Sequence, residues 1–252
     1  MAVFSFDGVS QRINLDGLYE RDELEELVAW LRESVPSAFD GAAIDVGANI
    51  GNHSLFFSDF FTRVVSFEPH PRTFALLSIN AGLVRNVVCH NVALSDVTGS
   101  AVLYDDPENM GSSGLSRKTD RRGIPVSVLT LDGYSDLPRP VSLIKYDVEG
   151  HEKQAIRGSR KILMADRPVV LFEQHAEDFV GGTTEVLELL RTFGYRRFAC
   201  IESSPEIHRS GVMATITSRV LQGLAGETIS VIERSEFSPR SYSFIVALPD
   251  GA

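Results

Sequence analysis

The chain has 252 residues and a formal net charge of −10, with 43% hydrophobic and 23% charged residues, a balance suited to a globular protein with a sizeable core. The acidic balance argues against nucleic acid or an anionic lipid surface as partner, because the densest basic stretch, residues 117–122, is interrupted by Asp120 and reads as a solvated loop. Only two cysteines occur, Cys89 and Cys200, each inside an apolar run; they read as buried thiols and exclude a disulfide framework.

The opening residues carry no basic stretch followed by an apolar one, and no apolar run reaches the ~18 residues of a membrane span. A cytoplasmic location and no integral membrane segment are therefore expected. Val3-Phe-Ser-Phe and Val9-Ser-Gln-Arg-Ile flank Asp7-Gly8, a dipeptide suited to a type I′ turn, and predict a hairpin. Residues 20–34 place Leu24, Leu27, Val28 and Leu31 at helical spacing, and Pro36 stops that helix. Residues 1–40 are thus expected to form a hairpin-and-helix ornament on a single domain, 41–252.

From residue 42 short apolar runs alternate with helical patterns. Strands are predicted at 42–46, 64–67, 87–94, 142–146, 168–173 and 196–201, with helices at 50–61, 71–84, 152–164 and 183–193. This is the pattern of βαβ units, a mostly parallel sheet and right-handed crossovers. Two segments interrupt it. Residues 100–134 hold strand-like runs at 101–104 and 124–129 around a polar loop, 105–123, whose small residues 109–116 read as a lid or as a mobile hairpin tip. Residues 203–240 are less regular, with a short helix expected near 213–224, and an interface in an oligomer is one use for this segment. Residues 241–248 form the last strand.

The first strand ends in Asp45-Val-Gly47-Ala-Asn49-Ile-Gly51, and a helix opens at once. Glycine at 47 and 51 lets backbone approach a ligand, and this turn lies at the carboxyl edge of the sheet, where such folds bind nucleotide-like ligands. The next strand ends in Glu68, at the ~20-residue distance of a carboxylate that accepts hydrogen bonds from both ribose hydroxyls. The spacing lacks the tight G-x-G-x-x-G of a diphosphate bed, which disfavours NAD, and there is no G-x-x-x-x-G-K-[ST] loop. S-adenosylmethionine (SAM) has no phosphate. A turn with an acidic entrance, backbone N–H groups and no basic residue suits its ammonium, carboxylate and sulfonium. The pattern Asn52-His-Ser54 is formally a glycosylation acceptor, but its place beside this turn marks it as accidental.

Four segments, Ile44-Asp-Val-Gly-Ala-Asn-Ile-Gly51, Phe67-Glu-Pro-His-Pro71, Asn91-Val-Ala-Leu-Ser-Asp96 and Ile144-Lys-Tyr-Asp-Val-Glu-Gly-His-Glu152, resemble the FkbM family of SAM-dependent methyltransferases in content, order and spacing, with Thr130-Leu-Asp132 a further likeness. The resemblance spans roughly 42–175. It implies an α/β, Rossmann-like class I methyltransferase fold, with a seven-stranded mostly parallel sheet and an antiparallel last strand. It also implies O-methylation of glycans or secondary metabolites. By the same resemblance Asp45, Gly47, Asn49 and Gly51 belong to the cofactor turn, the first three at the methionine end. Glu68 would hold the ribose. Pro69, His70 and the stretch 93–96 with Ser95 and Asp96 would border the adenine. Asp147 would stand beside the methionine moiety and the acceptor.

Methyl transfer to an aliphatic hydroxyl needs the acceptor aligned and its proton managed. The fourth and fifth main strands end in Asp147-Val-Glu149-Gly-His151-Glu152 and Glu173-Gln-His175, at the same edge as the turn. Asp147, His151, Glu173 and His175 are therefore the candidate catalytic residues, with either histidine suited to act as base near neutrality. A divalent cation held by Asp147, Glu173 and His175 is the alternative. Glu149 and Glu152 equally suit a helix N-terminus, and Lys145 a structural salt bridge to the carboxylates. An NAD-dependent oxidoreductase and a catalytically silent nucleotide-binding module are the competing readings.

Overall fold

The computed structural model describes residues 1–4, 8–104, 123–204 and 228–251. Two helices lead the chain, α1 (Gly8–Asp16) and α2 (Arg21–Ser34). Then β1 (Ala42–Val46), α3 (Asn52–Ser58), β2 (Val64–Phe67), α4 (Pro71–Ala81) and β3 (Val87–His90) alternate. Three strands follow, β4 (Ala93–Leu94), β5 (Gly99–Tyr104) and β6 (Gly123–Leu129). The chain continues through β7 (Val141–Tyr146), α5 (Glu152–Arg157), α6 (Arg160–Ala165), β8 (Val169–Gln174), α7 (Glu185–Thr192), β9 (Tyr195–Ser204), β10 (Thr228–Glu233) and β11 (Tyr242–Pro249).

The main sheet runs β10-β9-β11-β8-β7-β1-β2-β3. β1 pairs in parallel with β2 and β7, β2 with β3 and β7 with β8, whereas β11 runs antiparallel to both β8 and β9. The Rossmann-like fold with an antiparallel last strand is therefore present. The expected seven strands become eight, because β10 pairs antiparallel with β9 and extends the edge. Alternate strand residues face opposite layers, as a pleated sheet requires. Ile44, Val46, Ile144 and Phe172 pack with Ile156, Leu163 and Leu187 from α5, α6 and α7. Ala43, Leu143, Leu171 and Val246 pack with Leu24, Leu31, Phe56 and Phe57 from α2 and α3 on the other face. Burying both faces explains why the central strands read as continuous apolar runs.

Several expectations need correction. The hairpin around Asp7-Gly8 is replaced by α1. Ser10 and Ile13, three residues apart, are both buried, so a helical face outweighs the turn preference of Asp-Gly. The strand expected over 87–94 stops at His90, where the Asn91 amide donates to the carbonyls of Glu68 and Pro69 and turns the chain. Ala93 and Leu94 then join the small sheet β4-β6-β5, whose core is Ala93, Leu103, Val126 and Val128. The helix expected over 152–164 breaks between α5 and α6 at Gly158. A Cβ there would lie 1.9 Å from the Ser95 carbonyl oxygen, so only glycine permits this approach of the two backbones. The lid or hairpin tip at 109–116 and the short helix at 213–224 fall outside the described residues. Among the described residues no helix is long and apolar enough to cross a membrane.

Candidate active site

Strand order reverses between β1 and β7, and a cavity of about 340 Å³ opens there at the carboxyl ends of the strands. That size falls in the range of small-ligand pockets, and the place is the one such sheets use.

The β1 turn is shaped by its backbone. Gly47 takes φ +76°, Asn49 +49° and Gly51 +93°. A Cβ on Gly47 would lie 1.7 Å from the Asp147 carbonyl oxygen, so this glycine lets the β1 and β7 loops touch. Gly47 and Ala48 both donate N–H bonds to the Phe67 carbonyl, which fixes the turn to the end of β2. There Glu68, 8% exposed, accepts from the Asn49 N–H at 3.0 Å and the His70 N–H at 2.8 Å, one on each carboxylate oxygen. Burial pushes its pKa up to about 7 despite those two donors. The carboxylate lies on the cavity wall, each oxygen retaining acceptor capacity.

Beneath the turn sits a buried charge pair. Lys145 Nζ on β7 lies 3.0 Å from Asp45 Oδ1, 3.3 Å from Asp147 Oδ2 and 3.3 Å from the Gly47 carbonyl. Asp45 and Lys145 are 0% and 1% exposed, and Ser54 donates a further bond of 2.6 Å to Asp45. Burial opposes the ammonium, but the two carboxylates outweigh it and raise its pKa. The same charge overrides the effect of burial on Asp147 and holds that carboxyl below its usual range.

At the opposite end, Glu173, next to last in β8, faces Asp147 across the cavity. Burial first, and then the Asp147 charge, push Glu173 up to about 9, so it carries its proton at neutral pH. The far wall comes from the junction of α1 and α2. Asn52 on α3 accepts from the Tyr19 N–H at 3.0 Å and donates to the Tyr19 carbonyl at 2.9 Å. This clamp sets Tyr19 and Glu20 on the cavity, where Glu20 Oε2 lies 3.2 Å from His53 Nε2. Burial, then Glu20, Glu173 and Asp147, push the Tyr19 phenol up to about 12. The His53 ring is wedged between Phe57 and Phe244, at 6.3 and 5.4 Å between centroids.

Of the residues singled out in the sequence, Gly47, Asn49, Glu68, Pro69, Asp147, His151 and Glu173 line the cavity. Asp45 stands behind it, paired with Lys145, which itself reaches the cavity lining. Gly51 caps α3, and a Cβ there would come within 2.8 Å of Leu77. His70 is buried as the N-cap of α4. Ser95 and Asp96 bond one another, and Ser95 Oγ lies 2.9 Å from His151 Nε2. Burial lowers the pKa of His151, leaving it neutral at pH 7. His175 is outside the lining residues; its ring stands 3.9 Å from Glu173 Oε1, and it caps the short turn Ala176–Asp178. Glu152 is structural, since its Oε1 accepts from the N–H groups of Val148 and Gly150. Among the described residues no group of three or more His, Cys, Asp or Glu converges to hold a metal, and Lys145 already supplies the positive charge at Asp147. Tyr19, Glu20, His53, Ser243 and Phe244 are lining residues that sequence reasoning missed. Only Asn52-His53 carried a signal, and its meaning depends on a partner remote in sequence.

Two characterised relatives share part of this chain. A hexuronic acid methyltransferase, AglP, of Haloferax volcanii is 28% identical over 141 residues, covering 54% of this chain and 57% of the relative. Methyltransferase 1 of Beauveria bassiana is 27% identical over 149 residues, covering 49% and 60%. The chain thus spans less than two thirds of the length of each. A crystal structure of an FkbM methyltransferase from Methylobacillus flagellatus is similar at 21% identity, covering 53% of this chain and 32% of that one with a TM-score of 0.38. The stretch that holds the glycine turn, Glu68, Asp147 and Glu173 is also the stretch matched, over residues 45–197, by the methyltransferase FkbM domain, which sets the oxidoreductase reading aside. This chain belongs to the FkbM methyltransferase family.

Proposed function

We propose that this protein transfers the methyl group of SAM to a hydroxyl oxygen of a small molecule, secondary metabolite or glycan. The carrying observation is Glu68, a nearly buried carboxylate held by two backbone N–H groups and facing the cavity at the end of β2. A carboxylate oriented before any ligand arrives suits a pair of ribose hydroxyls, and its acidity argues against a phosphate. The residues present therefore fit the cofactor. Glu68 would hold the ribose, Pro69 with Ala93 and Leu94 the base, and the Gly47–Asn49 turn with Asp147 the methionine end. When bound, SAM supplies an electrophilic methyl on a sulfonium leaving group.

The rest falls to the chain. The ends of β2, β1, β7 and β8 stand in that order along the sheet, ~4.8 Å apart. A ligand anchored at Glu68 and running over the turn presents its reactive end toward Asp147 and Glu173. Asp147, kept ionised by Lys145, accepts a hydrogen bond from the acceptor hydroxyl and takes its proton as the new carbon–oxygen bond forms. Glu173, protonated, donates to Asp147 and keeps it turned to the cavity. His151, fixed on Ser95, and His175, outside the lining, are less well placed than the carboxylates.

The kinship with a hexuronic acid methyltransferase supports a sugar-type acceptor. Turnover of methyl-labelled SAM against a panel of hydroxylated acceptors tests the reading. Label should pass to an acceptor oxygen, and Asp147→Asn should lower kcat, read at saturating SAM, by about 10²–10⁴; wild-type binding of S-adenosylhomocysteine (SAH) checks the cofactor separately. Label transfer unaffected by that substitution would refute the role of Asp147.

A further inference from the structure

The acceptor end of the cavity carries a chemical bias. Carboxyl groups reach it from three elements: Glu20 ahead of α2, Asp147 and Glu149 after β7, and Glu173 at the end of β8. Among the described lining residues the single lysine or arginine is Lys145, which is 1% exposed and already engaged by Asp45, Asp147 and the Gly47 carbonyl. His53 is committed to Glu20 and His151 to Ser95. The neutral polar groups are hydroxyls: the Tyr19 phenol and the exposed Ser241 and Ser243 at the start of β11.

We infer that the acceptor is an uncharged or amine-bearing sugar-like polyol, and that a molecule with a carboxylate beside its reactive hydroxyl is refused. This rests on the reading of the cavity as a methyl-transfer site and narrows it. An acceptor carboxylate would stand against Asp147 and Glu20 with no free lysine or arginine among the described lining residues to offset them, and like charges at such range disfavour the ionised form. Glu173 in the same cavity is pushed toward its neutral form first by burial and then by the Asp147 charge. Neutral hydroxyls instead meet both donors and acceptors, and an ammonium meets carboxylates. The likeness to a hexuronic acid methyltransferase covers 54% of this chain.

The test uses the full chain, labelled SAM and three aryl glycosides that differ in one substituent: a hexoside, a hexosaminide with a free amine, and a hexuronide. The first two should be methylated with kcat/KM at least about tenfold above the hexuronide, a discrimination of about 1.4 kcal/mol. In Glu20→Gln the gap should narrow through a lower KM for the hexuronide. Equal or better turnover of the hexuronide overturns the inference, as does a gap unchanged by Glu20→Gln. No turnover of any glycoside, with SAH still bound by calorimetry, refutes the sugar class alone. Failure to bind SAH brings down the cofactor reading together with it.

Discussion

The two ends of the cavity are built by different means. The proposed cofactor end is local: Gly47, Asn49 and Glu68 lie within one β-turn-helix-β unit, and backbone N–H groups of that unit hold the carboxylate. The proposed acceptor end is assembled at long range, from Tyr19 and Glu20 ahead of the sheet, Asp147 and Glu173 at its centre and Ser243 at its close. A local device travels intact with a short motif. A long-range one depends on clamps such as the Asn52 side chain on Tyr19, and a few substitutions re-specify it. One fold can thus keep a cofactor and exchange acceptors.

Four perturbations separate the ends. The largest effect belongs to Lys145→Met, which strands Asp45 as a buried charge beneath both. A loss of about 3–5 kcal/mol is expected in chemical denaturation, whereas a change under 1 kcal/mol would show that the pair carries no such weight. Gly47→Ala is next. Its Cβ meets the Asp147 carbonyl at 1.7 Å, so the loops must separate. SAH binding should weaken by about a hundredfold, on the order of 3 kcal/mol by calorimetry, and unchanged affinity would mean the turn does not shape the site. Asn52→Ala removes both partners of the Tyr19 backbone and should cost about 1–3 kcal/mol. It should depress acceptor turnover more than SAH affinity, and equal effects would dissolve the distinction between the ends.

The smallest effect is a pH dependence of the cofactor end. The proposed ribose role requires Glu68 as the anion, and its pKa in the free protein is pushed up to about 7. Protonation therefore competes with binding, and SAH affinity should fall about tenfold from pH 8 to pH 6. The stability of the free protein runs the other way. A carboxyl whose pKa is raised on folding stabilises below its unfolded value, and that contribution is lost as pH rises through about 7. A flat binding profile between pH 6 and 8 would remove Glu68 from the ribose role.

The division also governs what the sequence disclosed. Strands buried on both faces, such as β1 and β7, announce themselves as apolar runs, and the glycine turn with Glu68 is legible because its parts have fixed local spacing. The carboxylates of the acceptor end were visible as strand-end residues and Lys145 as a salt-bridge partner, but that Lys145 joins Asp45 and Asp147 at once is set only in three dimensions. His151 and His175 look equivalent in sequence, and Ser95 and the 176–178 turn tell them apart. β10 went unread because its alternation is short and lies on an edge, and α1 because a strong local turn signal masked a helical face closed by tertiary packing.

The most direct test of the central claim is calorimetric titration of SAH into the wild-type chain and into Glu68→Ala. The cavity as described predicts one site per chain in the wild type and a loss of affinity of at least about tenfold, 1.4 kcal/mol, in the variant, with the folded state retained. Absence of binding to the wild type, or equal binding to both, would contradict it.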